Sequence, residues 1–438
     1  MTIKNNFPVS KPTLFFDFAN SKTIDPLFKF TRNSIATCVD QNGIIQEVDQ
    51  WMPRFDHDPV TRKPKGLLFE DDSTNLLTRS SEFNNAAWSI NSGTVAANSV
   101  VAPDGTTTGD KLYKTADTAL FMTQNNPLTS GVTYTQSIFA KKNAYPVNSD
   151  AFYVIQIASS TGFPSTYQNF DLSTGTLGTG DISGGSNNGT ATIEDYGNGW
   201  YRCSVTMPCT NTTSSGRMAI GVVSSPTSAR LEASGAYGST NNDGLYIWGA
   251  QFEANEYASS YIPTTTADVT RASEVCEIDL TTKDIEVQMP FTLYSELSTE
   301  VNQYARRPIG LRIVGDSTDN IRPFINADGS ITWYTTSGNL NTSSLRPPYY
   351  SPTKEFFKIA GSVGSTLVGN STIKFCCNGS RVNTTTTAYN DTRLIRLTIG
   401  NSNQGDTPRH WCGHFKTVAL YSYELTDEQM TNLTKINN

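Results

Sequence analysis

Apolar and polar residues alternate along this chain in short bursts separated by Gly, Asn, Ser and Thr. In Tyr134–Lys141, Tyr134, Gln136, Ile138 and Ala140 fall on one face while Thr135, Ser137 and Phe139 fall on the other. That period of two is a strand's. The same alternation runs through Phe152–Ala158, Trp200–Met207, Arg217–Val223 and Leu245–Phe252, with turn residues at intervals of about 8 to 12, the rhythm of a β-sandwich. Between them STGTLGTGDISGGSNNGT has little to bury and reads as loop.

The rhythm stops at Ile262-Pro263-Thr264-Thr265-Thr266, which resembles a linker, and resumes after Pro290. Strands are expected at Phe291–Leu297, Ile309–Val314, Ile321–Ile325, Ile331–Tyr334, Phe356–Ala360, Thr372–Cys377, Leu394–Ile399 and Phe415–Tyr421. Asp328-Gly329 and Asn378-Gly379 supply the positive-φ residues of tight turns. One helix start is clear: Thr426 caps it, Gln429 reaches back, Asp427 and Glu428 suit the positive dipole end, and Leu425 staples to Met430. The pattern therefore predicts a mainly β protein: two β-sandwich (jelly-roll) domains, 83–271 and 290–438, joined by a linker at 272–289 and ending in one short helix. Before them, residues 1–82 form a small irregular module with apolar runs only at Thr13–Phe18 and Gly66–Phe69, expected to lean on a neighbour or on other copies of itself.

Composition narrows the function. Only 17% of the 438 residues are charged, and the net charge of -7 leaves no cationic surplus for nucleic acid. No run approaches the roughly 20 apolar residues that span a bilayer. MTIKNNFPVSKP lacks a secretory apolar core, so folding in the cytosol of synthesis is expected. Seven cysteines without CxxC spacing read as free, buried thiols rather than a disulfide framework or zinc site.

Candidate chemistry is thin. PRFDHDP sets His57 between two aspartates, but in an extended segment Asp56 and Asp58 share one face and His57 takes the other, with His410 and His414 in the far domain. Aspartates in such a run bond nearby backbone. His410 and His414 have helical i,i+4 spacing around Cys412, yet sit where a strand is expected, too far apart there to share an ion. Glu70-Asp71-Asp72, consecutive in a turn, do not flank a sugar as a glycosidase pair must and read as a solvated turn or helix start. Nucleophile-elbow and phosphate-loop motifs are absent. No catalytic residue, metal or cofactor is assigned.

FTRNSIATCVDQNGIIQ, then PRFDHDPVTRKPKGLLFEDDSTNLL, then SSEFNNAAW, together resemble the N-terminal module of bacteriophage tail-fibre, head-fibre and related virion structural proteins. Trp88, PDGTTTGDKL, GVTYTQSIFAKK, GNGWYRCSV and GLYIWGAQFEANEYASSYIPTTTADVTRA resemble the jelly-roll, carbohydrate-binding-module-like domain that follows it, and GHFKTVALYSYELTDEQMTNL resembles the end of a concanavalin- or laminin-G-like sandwich. The resemblance implies a virion-surface protein made in the bacterial cytoplasm, docking to other virion proteins through its N-terminal module, homo-oligomeric (a trimer) and not an enzyme.

Sugar faces stack on indole and phenol rings, so Trp200, Tyr201, Tyr246, Trp333 and Tyr334 are the glycan-binding candidates, with one ring of each adjacent pair facing outward. Trp88 and Trp248 read as core. Trp333 and Tyr334, after the Asp328-Gly329 turn, are expected to be exposed. The expected function is adhesion to host-surface glycans by a tail or head fibre, with avidity from several copies. The alternatives are a capsid decoration protein that binds no sugar and a polysaccharide depolymerase.

Overall fold

The computed structural model describes residues 11–116, 118–143, 153–183, 187–232, 244–282, 285–300, 307–313, 321–325, 330–337, 340–345, 355–364, 370–388, 393–400 and 410–436. The chain is mainly β, with two sandwiches and one short helix. In the middle sandwich a six-stranded sheet orders Thr190–Asp195, Trp200–Pro208, Thr133–Lys141, Gly244–Glu253, Gly109–Lys114 and Gly93–Val100. A seven-stranded sheet centred on Val154–Ser160 and Thr213–Val223 faces it. Ile138, Ile155, Phe170, Ile220, Ile247 and Phe252 meet between them. Within STGTLGTGDISGGSNNGT, Thr176–Gly180 is a strand rather than loop, paired to Tyr167–Asp171. An exposed edge strand needs backbone pairing but no apolar face.

The second sandwich is not built from residues 290–438 alone. One sheet runs Asn383–Ala388, Asn370–Cys377, Phe357–Val363, Phe291–Leu297 and Gly413–Tyr421, and is then continued by Pro64–Phe69 and Phe55–His57, with Leu14–Asp17 also on Gly413–Tyr421. The facing sheet begins with Lys29–Thr31 and Val275–Asp279 before Leu394–Ile399. Strands of the N-terminal region thus extend both layers, and Phe16, Phe18, Leu67 and Phe69 pack in the same core as Phe291, Trp333 and Trp411. Residues 272–289, expected as a linker, carry the strand Val275–Asp279 and the fully buried Cys276, Ile278, Leu280 and Val287. Their alternation, VCEIDL, was too short to separate from a linker without its partners.

The N-terminal region grips the middle sandwich as well. Asn75 donates to the carbonyls of Ala250 (3.1 Å) and Ile262 (2.9 Å) and accepts from Phe252 N–H, while Ser73 donates to Glu253. The hairpin Ala36–Val39/Ile45–Val48 lays Val39 and Ile45 against Phe139, Trp200, Trp248 and Tyr261. At the joint, Arg54 is fully buried and contacts Glu274 (2.6 Å) and Glu70 (2.7 Å), Arg271 lies 3.5 Å from Glu70, and Arg32 lies 3.4 Å from Glu274.

The terminal helix, Asp427–Thr434, has the capping box expected of Thr426 and Gln429, and Leu425 and Met430 share one buried cluster. Asn378 and Gly379 both have positive φ, 48° and 71°. Asp328-Gly329 lies outside the described residues. All seven cysteines are free and buried. Among the described residues no helix is long and apolar enough to cross a membrane.

Removing one partner from a buried ion network strands the others without solvent, at about 3–5 kcal/mol. Arg54→Ala is therefore expected to lower unfolding free energy by about that much, measured by urea titration. Lys29→Ala, which removes an ion pair to Glu277 whose lysine is 77% exposed, is expected to cost less than about 1 kcal/mol.

Candidate functional site: a cleft at the three-way junction

The five aromatic candidates do not form one platform. Trp200 is buried (2% exposed), packed with Trp248 and Tyr261, its indole donating to Val101 O at 3.0 Å. The reason is the N-terminal hairpin, which covers the face of the sheet that a lone sandwich would leave in water. Tyr201, on the opposite face, is half-buried and lies against Gly175, where any Cβ would come within 2.6 Å of its ring. Tyr246 is half-buried and its hydroxyl donates to Asn143 Oδ1 at 3.4 Å.

Trp333 corrects the expectation of exposure. It is 0% exposed, stacks on Phe375 at 5.7 Å, and sits over Gly361, which has no side chain to block it. Its neighbour Tyr334 points the other way and is half-buried beneath the Arg322 guanidinium at 4.5 Å. Trp88 and Trp248 are buried, at 5% and 3%.

The N-terminal run and the two sandwiches enclose a cleft of about 540 Å³. Asp56, Asp58, Lys65 and Glu70 come from the first region; Phe139, Glu194, Asp195, Tyr196, Arg202, Tyr257 and Tyr261 from the middle sandwich; Ser298, Glu300, Phe356 and His414 from the last. Tyr196, Tyr257 and Phe356 are half-buried, so their rings contribute surface to it. Tyr196 stands edge-on to Phe139 at 4.8 Å, and Lys416 Nζ covers Phe356 at 3.6 Å. A second hollow of about 560 Å³ beside the helix is lined by Arg381, Asn383, Asp427 and Glu428 but by no aromatic ring.

PRFDHDP supplies one wall, through a different residue from the one that draws the eye. Asp56 is 6% exposed; it accepts from Val39 N–H at 2.8 Å and from His414 Nε2 at 2.8 Å. So the histidine expected in the far domain is Asp56's partner. Asp58 lines the same cleft and caps the turn that follows, accepting from Val60 and Thr61 N–H. His57 faces Val39 O at 3.2 Å. Glu70, read as solvated, is 3% exposed between Arg54 and Arg271 and accepts from Ser260 N–H and hydroxyl. Nothing in the spacing of residues 56, 70, 300 and 414 signals their meeting; only strand pairing of Pro64–Phe69 with Gly413–Tyr421 does.

Charge states follow from these contacts. Burial opposes ionisation of Asp56, but the His414 hydrogen bond and Lys65 outweigh it and hold the carboxyl low. Burial likewise opposes Glu70, and Arg271 and Arg54 overcome it. Burial lowers His414 below an ordinary imidazole in spite of Asp56. Glu300, 3.7 Å from His414 Nδ1, goes the other way: burial raises it, and Glu70 and Asp56 add to the effect against Lys65. Asp56 and His414 are too enclosed to reach a ligand and serve as a clasp between regions. The exposed Asp195 and the half-buried Glu300, Tyr196 and Phe356 are among the reachable groups. Among the described residues, no group of three His, Cys, Asp or Glu is arranged to hold a metal.

For Asp56, Glu70 and His414 the folded state binds fewer protons than the unfolded, so their contribution to stability is lost as pH falls. The loss is expected to begin below about pH 6.5, where an unfolded imidazole takes a proton that His414 resists, and to steepen below about pH 4.5 as the carboxylates are protonated. Glu300 contributes the reverse slope, its share being lost as pH rises through its elevated folded value. Urea midpoints should drop between pH 7.5 and 5.5 and flatten over that range in His414→Gln; a wild-type midpoint independent of pH contradicts the clasp.

Residues 279–431, about a third of the chain, match the laminin-G-type family model described as the concanavalin A-like lectin/glucanases superfamily. The chain matches no curated protein sequence. Among solved structures it is similar to the NanB sialidase from Streptococcus pneumoniae (15% identity over 37% of this chain and 26% of that one, TM-score 0.31). It is also similar to the heptameric SAP-like pentraxin from Limulus polyphemus (12% identity, 33% and 70% covered, TM-score 0.28). A third is the Ruminococcus gnavus IT-sialidase CBM40 bound to α2,3 sialyllactose (13% identity, 35% and 86% covered, TM-score 0.28). The chain thus spans about a quarter of the sialidase's length. What the family model identifies is a concanavalin A-like lectin/glucanase-type domain at residues 279–431.

Proposed function

We propose that this chain is a non-enzymatic adhesion protein of a phage virion, a tail or head fibre, which holds a host-surface glycan in the cleft where its three regions meet. The carrying observation is that cleft: about 540 Å³ of space with half-buried Tyr196, Tyr257 and Phe356 beside carboxylates and hydroxyls. Rings offer stacking to the C–H face of a sugar and the polar groups meet its hydroxyls. The lectin/glucanase-type match at residues 279–431 and the virion-type motifs of residues 30–88 support the reading. A site of this size binds one or two sugars weakly, so host adhesion calls for several copies, as in a homotrimer whose N-terminal modules dock on the particle; linked copies raise avidity by about 100- to 10,000-fold.

Tyr196→Ala and Phe356→Ala are each expected to weaken binding of short oligosaccharides by about five- to tenfold, the scale of one aromatic contact, with urea midpoints close to wild type. Isothermal titration against a glycan panel measures it. Absence of binding across the panel supports shell decoration instead, and release of new reducing ends during titration supports a depolymerase.

A further inference from the structure

The buried joint carries more positive charge than negative. Arg32, Arg54 and Arg271 are 1%, 0% and 0% exposed, and among the described residues the carboxylates that pair with them are Glu70 and Glu274. The surplus is felt: burial and the like charges of Arg54 and Arg271 hold Arg32 below an ordinary guanidinium in spite of Glu274. Other carboxylates nearby are committed. Ser73, across the ladder from Arg271, donates to Glu253, which also accepts from Gln251 and Ser259. Asp71 accepts from Cys412 Sγ at 4.0 Å, and Asp56 holds His414.

Arg271 is where the surplus is left open. Arg32 gives its N–H groups to four carbonyls, and Arg54 gives its own to Glu70, Glu274, Thr37 and Ser260. Arg271 lies 3.5 Å from Glu70, yet its Nε, Nη1 and Nη2 all lack a hydrogen-bond partner among the described residues. The Tyr257 hydroxyl is buried and unmet as well, and Tyr257 lines the cleft beside Glu70. Burial, then Cys412 and Glu70, push that hydroxyl far above an ordinary phenol against the pull of Arg271, so it keeps a proton to donate.

Unmet donors in a buried charged group are unfavourable. Water answers them poorly, since it accepts two protons and must also donate its own, whereas Arg271 and Tyr257 both have protons to give. An anion accepts from both and cancels the surplus. We propose that the joint holds a small monovalent anion of the chloride class between Arg271 and Tyr257, reached from the cleft that Tyr257 lines. One charge in excess fits a monovalent ion; a dianion would reverse the balance beside Glu70. Bound there, the ion completes the contact of the three regions.

The test is urea unfolding of the full chain from about 1 to 300 mM chloride, with methanesulfonate holding ionic strength constant. An ion bound by the folded state alone lowers the unfolding constant about tenfold for each tenfold rise in chloride above its dissociation constant. Tyr257→Phe, which removes one donor and keeps the ring, is expected to move this dependence to about tenfold higher chloride. Bromide soaked into crystals is expected to give an anomalous peak beside Arg271. An unfolding constant that is the same in chloride and methanesulfonate overturns the proposal and leaves the space to water; a bromide peak in that case is an adventitious ion only. A chloride dependence unchanged in Tyr257→Phe also overturns it, marking an ion bound elsewhere. No sugar enters the measurement, so the glycan reading stands or falls separately.

Discussion

Everything in this fold depends on how the Arg54 guanidinium is satisfied. Buried completely, it bonds Glu70 and Glu274, the Thr37 carbonyl and the Ser260 hydroxyl. Those partners lie in the N-terminal hairpin, the Pro64–Phe69 strand end, the close of the middle sandwich and the entry to the last one. Charges are held away from water only where opposite charges and hydrogen bonds meet them in good geometry. Closing this network therefore requires all three regions in place at once. Arg32 extends the demand, binding four backbone carbonyls, those of Ser34, Val48, Asp49 and Met52, beside Glu274.

That constraint explains which features were readable from sequence. Period-two alternation and turn residues disclose strands because both act within a few positions, and the Thr426 capping box is equally local. The same reasoning sets Trp200 and Tyr201 on opposite faces, as they are, but does not disclose that the hairpin Ala36–Val39/Ile45–Val48 covers the face carrying Trp200. Glu70 looked solvated for a similar reason, since its partners Arg54 and Arg271 lie 16 and about 200 residues away. The N-terminal motifs and the run SSYIPTTTADVTRASE contain Arg54, Glu70, Ser260, Arg271 and Glu274, residues whose chemistry becomes intelligible only once they meet. Trp333 and Asp56 repeat the lesson: pairing partners distant in sequence decide whether a side chain meets solvent.

Function follows from where the joint leaves space. With that sheet face covered, Tyr196 and Phe356, which belong to different sandwiches, present half-buried rings at the junction. Placement of those walls by the joint suits the proposed sugar site, because a ligand would spend little of its binding energy in ordering them. The Asp56–His414 clasp, tying residue 56 to the strand Gly413–Tyr421, keeps that geometry from opening.

The buried Arg54 network makes the N-terminal region and both sandwiches one cooperative unit. Scanning calorimetry of the full chain tests this most directly. One transition, with calorimetric enthalpy equal to the van't Hoff enthalpy, is the predicted result. Two separated transitions, one for each sandwich, would contradict it.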